Sequence, residues 1–331
     1  MVKQTDFPID FVVTWVDGGD PKWIGKKSQY SLSMDNALNG DERFRDFDVF
    51  EYWFKNVEKF APWVNRIFLI TDEQLPSFID KYEKIKIIDH KNYIPEIFLP
   101  TFNSNVIENF INKIPDLSEH FVLFNDDMFL TAPTLPTDFF SLDGLPVEVG
   151  VMGIVQPSEN FQKISFNNNV LLNHFFSKKE ILKKNWTKYF SFKYGKKIIQ
   201  SALTLPYWTI TGWHEPHLPE PYLKSTWDLV QNKVPSLSEI GTHRFRSDAD
   251  TNHWLYKNWQ LSSGTFKPRR IHGFGQFIRI SEDTNWYKVQ KTLQRKQYKI
   301  TVINDLPMSS SQFEKSKITI KKMFEKIYDG Q

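Results

Sequence analysis

The chain has 331 residues, a formal net charge of +3 and no cysteine. Hydrophobic residues make up 40% of it and charged residues 24%, which is ordinary for a folded globular protein. The small net charge gives no general argument for nucleic-acid binding. The lack of cysteine excludes disulfides, thiolate nucleophiles and cysteine-ligated metals.

The start of the chain bears on targeting. Residues 1–8 lack the basic start and apolar stretch of a signal peptide, and no run approaches the length of a membrane span. We therefore expect a soluble, cytoplasmic protein that can still contact the inner face of the plasma membrane peripherally.

Four apolar runs are typical of buried β-strands, and two segments with helical spacing lie among them. The helical segments begin near Asp46 and Asn103, and a proline follows each of them. Strands that alternate with helices predict an α/β, Rossmann-like fold: a mostly parallel sheet with helices on both faces. The predicted strands are Ile9–Trp15, Arg66–Thr71, Lys84–Asp89 and His120–Phe124.

Changes in composition suggest four regions. Residues 1–155 form the first part of the catalytic core, 156–215 a mainly helical insertion, 216–280 the second part of the core, and 281–331 a C-terminal helical segment. Between residues 178 and 197 the insertion has eight lysines and one acidic residue, interleaved with aromatic residues. Two interpretations remain: a solvated helix face over a packed aromatic side, or contact with an anionic membrane surface or a lipid-linked acceptor.

Acidic residues follow three of the predicted strands: Asp17, Asp72 and the pair Asp126–Asp127. Ligands of such sheets gather at the carboxyl ends of the strands, so this shared position indicates a site. Two adjacent carboxylates can bind a divalent cation that holds a diphosphate, or one can act as a base that the other orients. The alternative is an aspartate-rich turn.

Other polar residues are candidates on weaker grounds. Glu108 lies among apolar helix positions, either as an ion-pair partner or as an active-site group. Asn103 and Ser104 can cap that helix or donate to phosphate. The segment Arg43–Asp46 precedes a predicted helix and has two interpretations. Arg45 contacts a phosphate, or the segment only caps the helix through Asp46.

Two downstream segments add histidines and arginines. His214 and His217 lie on a proline-rich loop, which is a poor zinc signature. His243 and Arg246 precede Asp250, and a histidine and an arginine near paired acids suit phosphoryl transfer.

Taken together, these segments resemble the Stealth family, the hexose-1-phosphoryltransferases of bacterial capsules and cell-surface polysaccharides. The family also includes the eukaryotic enzyme that starts the mannose 6-phosphate tag. Four blocks match in order, and the last is the weakest. The blocks are Ile9-Asp-Phe-Val-Val-Thr-Trp-Val-Asp-Gly-Gly-Asp-Pro21; Arg43-Phe-Arg-Asp46 through Asp72; Leu99-Pro-Thr-Phe-Asn-Ser104 through Phe124-Asn-Asp-Asp127; and His217-Leu-Pro219 with His243-Arg-Phe-Arg246 and Asp250.

The resemblance implies transfer of a hexose or N-acetylhexosamine 1-phosphate from a UDP-sugar to a polysaccharide or lipid-linked oligosaccharide, with release of UMP and without nucleic acid. It implies Mg²⁺ or Mn²⁺ as cofactor, with Asp126 as a ligand, and His217 or Asp127 as the base. The alternative is a metal-dependent glycosyltransferase that releases UDP. The implied catalytic residues are Glu108, Asp127, His217 and Arg246, and the implied substrate-binding residues are Asp17, Gly18, Arg45, Asn103, Ser104, Lys113, Asn125 and Asp250.

Overall fold

A computed structural model of the protein describes residues 5–31, 38–40, 44–156 and 161–330. Its centre is a five-stranded sheet in the order β3-β2-β1-β4-β7. The first four strands are parallel and β7 is antiparallel to β4, so the predicted mostly parallel sheet is confirmed. The strands are β1 (Ile9–Thr14), β2 (Ile67–Thr71), β3 (Ile85–Asp89), β4 (His120–Asn125) and β7 (Glu220–Leu223).

The central strands are buried on both faces, which explains their continuous apolar runs. Val12 of β1 lies opposite Phe68 of β2 and Leu123 of β4, and all three side chains belong to the second of two hydrophobic cores. Phe11 and Val13 point to the other face and belong to the first core. Helices cover both faces, as predicted from the alternation of strands and helices.

The first core contains helices α2 (Phe50–Phe60), α9 (Trp286–Gln294) and α10 (Ser310–Phe324). The second contains residues of α3 (Ser104–Asn109), α7 (Lys224–Lys233) and α8 (Trp254–Ser263). A short helix, α1 (Pro21–Ser28), follows β1, and Asp20 caps it through a hydrogen bond from the Lys22 amide.

A second sheet has the order β5-β10-β9, and a two-stranded sheet pairs β6 with β8. Strand β10 lies inside the segment 281–331, which the sequence predicts to be helical. That segment contains α9 and α10, yet β10 also pairs with β5 and β9 and integrates it into the core. The strands are β5 (Met128–Leu130), β6 (Val147–Glu148), β8 (Lys267–Pro268), β9 (Gly275–Ile280) and β10 (Ile300–Asp305).

The described residues of the region predicted as an insertion include three α-helices: α4 (Phe161–Phe175), α5 (Lys178–Tyr189) and α6 (Ile198–Thr204). Ile181 and Tyr189 of α5 contribute to the second core, whereas Trp186 and Phe192 are exposed, so the aromatic residues of this region are only partly packed. In the part of the chain that the structure describes, no helix has both the length and the apolar character needed to cross a bilayer.

Candidate active site

The acid pair forms the turn between β4 and β5. The side-chain amide of Asn304 donates to Asp127 Oδ2 at 3.3 Å. The backbone amide of Ile303 donates to the backbone carbonyl of Asp127 at 2.9 Å. Asp127 Oδ1 is buried and has no hydrogen-bond partner among the described residues. The last strand of the second sheet therefore holds Asp127 in place and leaves one carboxylate oxygen available.

Burial controls the ionisation of this pair. It raises the pKa of Asp127 to about 6. Burial, together with the charges of Asp127 and Asp46, raises the pKa of Asp126 well above its usual range. Two half-buried carboxylates side by side are costly to ionise unless a cation compensates them.

The residues before α2 make contacts within the fold. Arg45 Nη2 lies 2.6 Å from Asp305 Oδ2 and the guanidinium stacks on Phe313, so this predicted phosphate ligand pairs with the end of β10. Asp46 accepts a hydrogen bond from the Trp15 indole at 3.2 Å and does not cap α2, whose N-cap is Val49. Arg43 lies outside the described residues.

The loop after β1 lies close to neighbouring backbone. Gln74 ties it down by accepting from the Asp17 amide at 2.9 Å and donating to the Asp17 carbonyl at 3.0 Å. A Cβ atom at Gly18 would lie 1.9 Å from the Phe44 carbonyl oxygen. Glycine is therefore required here for the loop itself to pack. The Asp17 side chain is exposed at the same sheet edge as the acid pair.

A buried carboxylate joins the start of α3 to the loop before α8. Asp250 Oδ2 accepts hydrogen bonds from the side-chain amides of Asn103 at 2.8 Å and Asn105 at 2.9 Å, and from the Ser247 backbone at 3.1 Å. Its other oxygen lies 2.6 Å from His243 Nδ1. Asn103 is also the N-cap of α3, so its predicted capping role is confirmed.

Arg246 lies in the same loop. Its Nε and Nη2 atoms donate to the Ser104 hydroxyl at 3.1 and 2.6 Å, and its backbone amide donates to Asn39 at 3.0 Å. An open cavity of about 510 Å³ is lined by this loop. The arrangement gives one cavity a guanidinium and an imidazole. The lining residues are Thr242, His243, Arg244, Phe245, Arg246, Ser247 and Asp248.

Glu108 faces a histidine that the sequence did not reveal. Its carboxylate lies 2.6 Å from His253 Nδ1, and His253 Nε2 lies 3.4 Å from Glu220 Oε2. Burial alone would lower the pKa of His253, but the carboxylates of Glu108 and Glu220 outweigh it and raise the pKa to about 10. Lys257 Nζ lies 2.6 Å from Oε1, the other carboxylate oxygen of Glu220. Glu108 is thus part of a buried network of ion pairs, in which Lys257 also pairs with Glu215.

His217 lies three residues before β7, whose first residue Glu220 pairs with Leu123 of β4. The chain that carries His217 therefore approaches the carboxyl end of β4, where Asn125 precedes the acid pair. His217 has a positive φ of 49° and its ring contacts Phe277 edge-on at a centroid distance of 5.3 Å. A positive φ in a residue other than glycine is uncommon and occurs often at functional sites.

The structure brings some predicted residues together and separates others. Ser104, Asn103, Arg246 and Asp250 form one hydrogen-bonded group. Asp127 has no direct hydrogen bond or ion pair to that group in the described part of the chain. Lys113 lies apart, 3.2 Å from Asp228 of α7.

Sequence reasoning missed His253, Glu220 and Asn304. The first two carry no local signal. Asn304 follows the apolar run Ile300–Ile303, so the rule that identified the acid pair, polar residues after a buried strand, could have found it.

The chemistry of the acid pair suits a divalent cation. Asp127 Oδ1 is available, both pKa values are raised, and carboxylate oxygens are the ligands that Mg²⁺ prefers. Among the described residues, no group of three or more histidine, aspartate or glutamate side chains is arranged to hold a metal ion. One or two carboxylates plus substrate phosphates are typical of Mg²⁺, so the pair fits an ion shared with a bound diphosphate.

Comparison with known proteins identifies the family. Residues 7–35 match conserved region 1 of the Stealth proteins, and residues 43–148 match conserved region 2. The exopolysaccharide phosphotransferase cps2G of Lactiplantibacillus plantarum is 39% identical, with 98% of each chain covered. The chain belongs to the Stealth family.

Two further relatives agree with this assignment. The receptor polysaccharide phosphotransferase WefC of Streptococcus oralis is 44% identical over 90% of both chains. The capsular polysaccharide phosphotransferase WcwK of Streptococcus pneumoniae is 41% identical over 97% of this chain and 96% of its own. This Stealth protein is therefore a phosphotransferase enzyme, as the sequence resemblance implied.

Proposed function

We propose that this Stealth protein transfers a hexose or N-acetylhexosamine 1-phosphate from a UDP-sugar to a hydroxyl of a polysaccharide or lipid-linked oligosaccharide. The acceptor oxygen forms a bond to the phosphorus that carries the sugar, the bond from that phosphorus to the bridging oxygen breaks, and UMP leaves. The product is a phosphodiester-linked sugar in a capsular or exopolysaccharide. We place the reaction at the inner face of the plasma membrane, where nucleotide-sugar and lipid-linked acceptor meet.

The observation that carries this proposal is the cavity where Arg246, fixed on Ser104, lies in the same loop as His243, fixed on Asp250. Phosphoryl transfer depends on positioning and on stabilising charge on the phosphate oxygens. A guanidinium presents a rigid fork of donors that matches phosphate geometry. The names of the relatives, which are all polysaccharide phosphotransferases, support the same class of reaction.

In this proposal Arg246 holds the transferring phosphate, and the Asp17–Gly18 loop with Asn125 contributes to the donor site. The resemblance also implies a catalytic role for Glu108, which His253 holds in a buried position. Mg²⁺ bound at Asp126 and Asp127 would neutralise charge on the diphosphate. Removing it with a chelator and restoring it with Mg²⁺ or Mn²⁺ measures that requirement directly.

Three side chains can take the proton of the attacking hydroxyl. His217 approaches the acid pair along β7, and Asp127 has a free oxygen whose burial makes it more basic. His243 presents Nε2 to the cavity when Nδ1–H donates to Asp250. The base is the residue whose substitution lowers kcat by about two to four orders of magnitude while donor binding persists. The variants to compare are His217→Ala, Asp127→Asn and His243→Ala.

The released nucleotide tests the reaction class. The protein is incubated with a panel of UDP-sugars and a lipid-linked acceptor, and the nucleotide and the new linkage are identified. UMP and a phosphodiester are expected. UDP with a glycosidic linkage would instead establish the metal-dependent glycosyltransferase that the acid pair alone would favour.

A further inference from the structure

The helical region carries a concentration of exposed apolar side chains around α6. Phe192 is 96% exposed and Trp208 95% exposed, and these two residues flank α6 in the chain. Ile199 and Leu203, on α6 itself, are 62% and 67% exposed. We call these four residues the α6 surface. Single exposed apolar residues are ordinary, but a contiguous group of large ones marks an interaction site.

The geometry of α6 makes this exposure a property of one face. Ser201 and Thr204 are buried, and the Ser201 hydroxyl accepts a hydrogen bond from the Met152 amide at 2.9 Å. Ile199 and Leu203 are four residues apart and so lie on one side of the helix, away from that buried face. The inner face anchors α6 to the core, and the outer face is exposed to solvent.

The chain that precedes and includes the α6 surface is rich in positive charge. From residue 181 to residue 213 the chain has no aspartate or glutamate. Lys178 and Lys188 have structural roles, because they donate to the backbone carbonyls of Thr204 and Gly264. The remaining lysines of the region include five that are exposed and that no ion pair among the described residues engages. They are Lys179, Lys183, Lys184, Lys196 and Lys197.

We infer that the α6 surface docks this protein onto an anionic lipid bilayer. Exposed tryptophan and phenylalanine side chains bury favourably at the level of the lipid headgroups. Lysines beside them are attracted to anionic lipids, and long basic side chains can cover the rim of an apolar contact. The combination of aromatic side chains and unopposed lysines complements an anionic bilayer better than it complements a neutral protein surface.

Helix α4 contacts the chain beside the α6 surface, because Asn173 exchanges two hydrogen bonds with the Ile210 backbone, two residues after Trp208. The same helix contacts the candidate active site. Lys163 lies 2.7 Å from Asp248, and the Asn167 amide donates to the Asp250 carbonyl at 2.8 Å. Helix α4 is therefore fastened to the loop that carries His243 and Arg246. Docking would hold the cavity close to the bilayer, where a lipid-linked acceptor resides; this last step rests on the proposed function, whereas the binding itself does not.

Vesicle co-sedimentation tests the binding. The full chain is mixed with vesicles of phosphatidylglycerol and phosphatidylcholine in equal parts, and separately with vesicles of phosphatidylcholine alone. We expect salt-sensitive binding to the anionic vesicles and weak binding to the neutral ones. Trp208→Ser is expected to weaken binding about tenfold or more, and each of Lys196→Glu and Lys197→Glu by about fivefold or more.

Matched controls distinguish binding through the α6 surface from non-specific adsorption of the protein to vesicles. Tyr287→Ser removes an aromatic side chain that is also well exposed but lies on α9, and Lys322→Glu reverses a charge on α10. Both are expected to bind vesicles as the wild type does. Equal losses in the controls, or no binding of the wild type to anionic vesicles, would overturn the inference. So would a dimer in sedimentation velocity that Trp208→Ser dissociates in the absence of any vesicle binding.

An activity comparison distinguishes docking from the reaction. Trp208→Ser is expected to lower the rate of transfer to a lipid-linked acceptor embedded in vesicles and to leave transfer to a water-soluble acceptor fragment unchanged. If no transfer occurs with either acceptor in the wild type, the proposed function fails while the vesicle measurements still decide the docking surface. An equal loss with both acceptors would contradict a role in docking.

Discussion

The Ser104 hydroxyl accepts two hydrogen bonds from the Arg246 guanidinium, at 3.1 Å from Nε and 2.6 Å from Nη2. Two donors on one acceptor fix the plane of the guanidinium as well as its position. A lysine at this position would supply the charge without that orientation.

Arg246→Lys is therefore expected to lower kcat by about 10²-fold to 10³-fold, as when one fixed donor to a transition-state oxygen is lost. Ser104→Ala keeps the guanidinium of Arg246 but removes the hydroxyl that orients it, so a smaller loss of kcat is expected. Arg295→Lys, at an exposed position after α9, is the control. Steady-state kinetics with a saturating donor measure all three. Wild-type kcat in Arg246→Lys would contradict the phosphate-holding role.

Replacement of Asp127 tests the acid pair. Asp127→Asn keeps the shape of the turn and the position opposite Asn304, but removes the negative charge. Turnover is expected to fall by about two to four orders of magnitude if Asp127 is the base. Asn304→Ala should give a smaller loss, because it removes only the hydrogen bond that orients Asp127 Oδ2. The exposed Asp283→Asn is the control, and near-normal turnover in Asp127→Asn would remove this residue from the mechanism.

The His253 network predicts a pH dependence of stability. The pKa of His253 is about 10 in the folded protein, above the value of about 6.5 for an unperturbed histidine. Its contribution to the free energy of unfolding is therefore fully present below about pH 6.5 and is lost as the pH rises through about 10.

Guanidinium unfolding measures this contribution. The difference in unfolding free energy between wild type and His253→Gln is expected to be largest near pH 6 and to shrink towards pH 10. The exposed His272→Gln is the matched control and should follow the wild type. A difference that stays constant between these pH values would show that the two carboxylates do not hold a protonated imidazole.

Substitution of Gly18 tests the proposed contribution of the Asp17–Gly18 loop to donor binding. A methyl group at this position would lie 1.9 Å from the Phe44 carbonyl oxygen, so Gly18→Ala must displace the backbone. We expect a loss of about 1–3 kcal/mol in stability and a raised KM for the nucleotide-sugar. Gly25→Ala is the control, because nothing lies within 4 Å of its added Cβ. Thermal unfolding and donor titration measure the two effects, and an unchanged KM would separate the loop from donor binding.

The sequence was sufficient for the four parallel strands of the central sheet because the signal there is local. Each of these was predicted from an apolar run, and the structure ends β1, β2 and β4 within one residue of the predicted boundaries. The fifth strand, β7, has the sequence Glu-Pro-Tyr-Leu, which gives no such signal, and it was not predicted. The second sheet was missed because its strands come from distant parts of the chain. Strand β5 has only three residues. Its last residue, Leu130, pairs with Ile300, the first residue of β10, which lies 170 positions later in the chain.

The site divides in the same way. Asn103, Ser104, Arg246 and Asp250 were identified by resemblance to the family, and the structure shows that they contact one another. The partnership of Glu108 with His253 spans 145 positions, and no periodicity or spacing encodes such a pair. For Arg45 the sequence suggested contact with a phosphate because the side chain is positively charged. In the structure Arg45 pairs with Asp305 at the end of β10, and the sequence did not predict the position of that strand.

The pairing of β10 with β5 has a consequence for biosynthesis. The turn that carries Asp127 is held by Ile303 and Asn304, so a nascent chain that has exposed only residues 1–280 has the central sheet but lacks the element that shapes this turn. Strand order and chain order thus differ. If Asp127 acts in catalysis as proposed, the growing chain becomes active only after its final strand has emerged from the ribosome and paired.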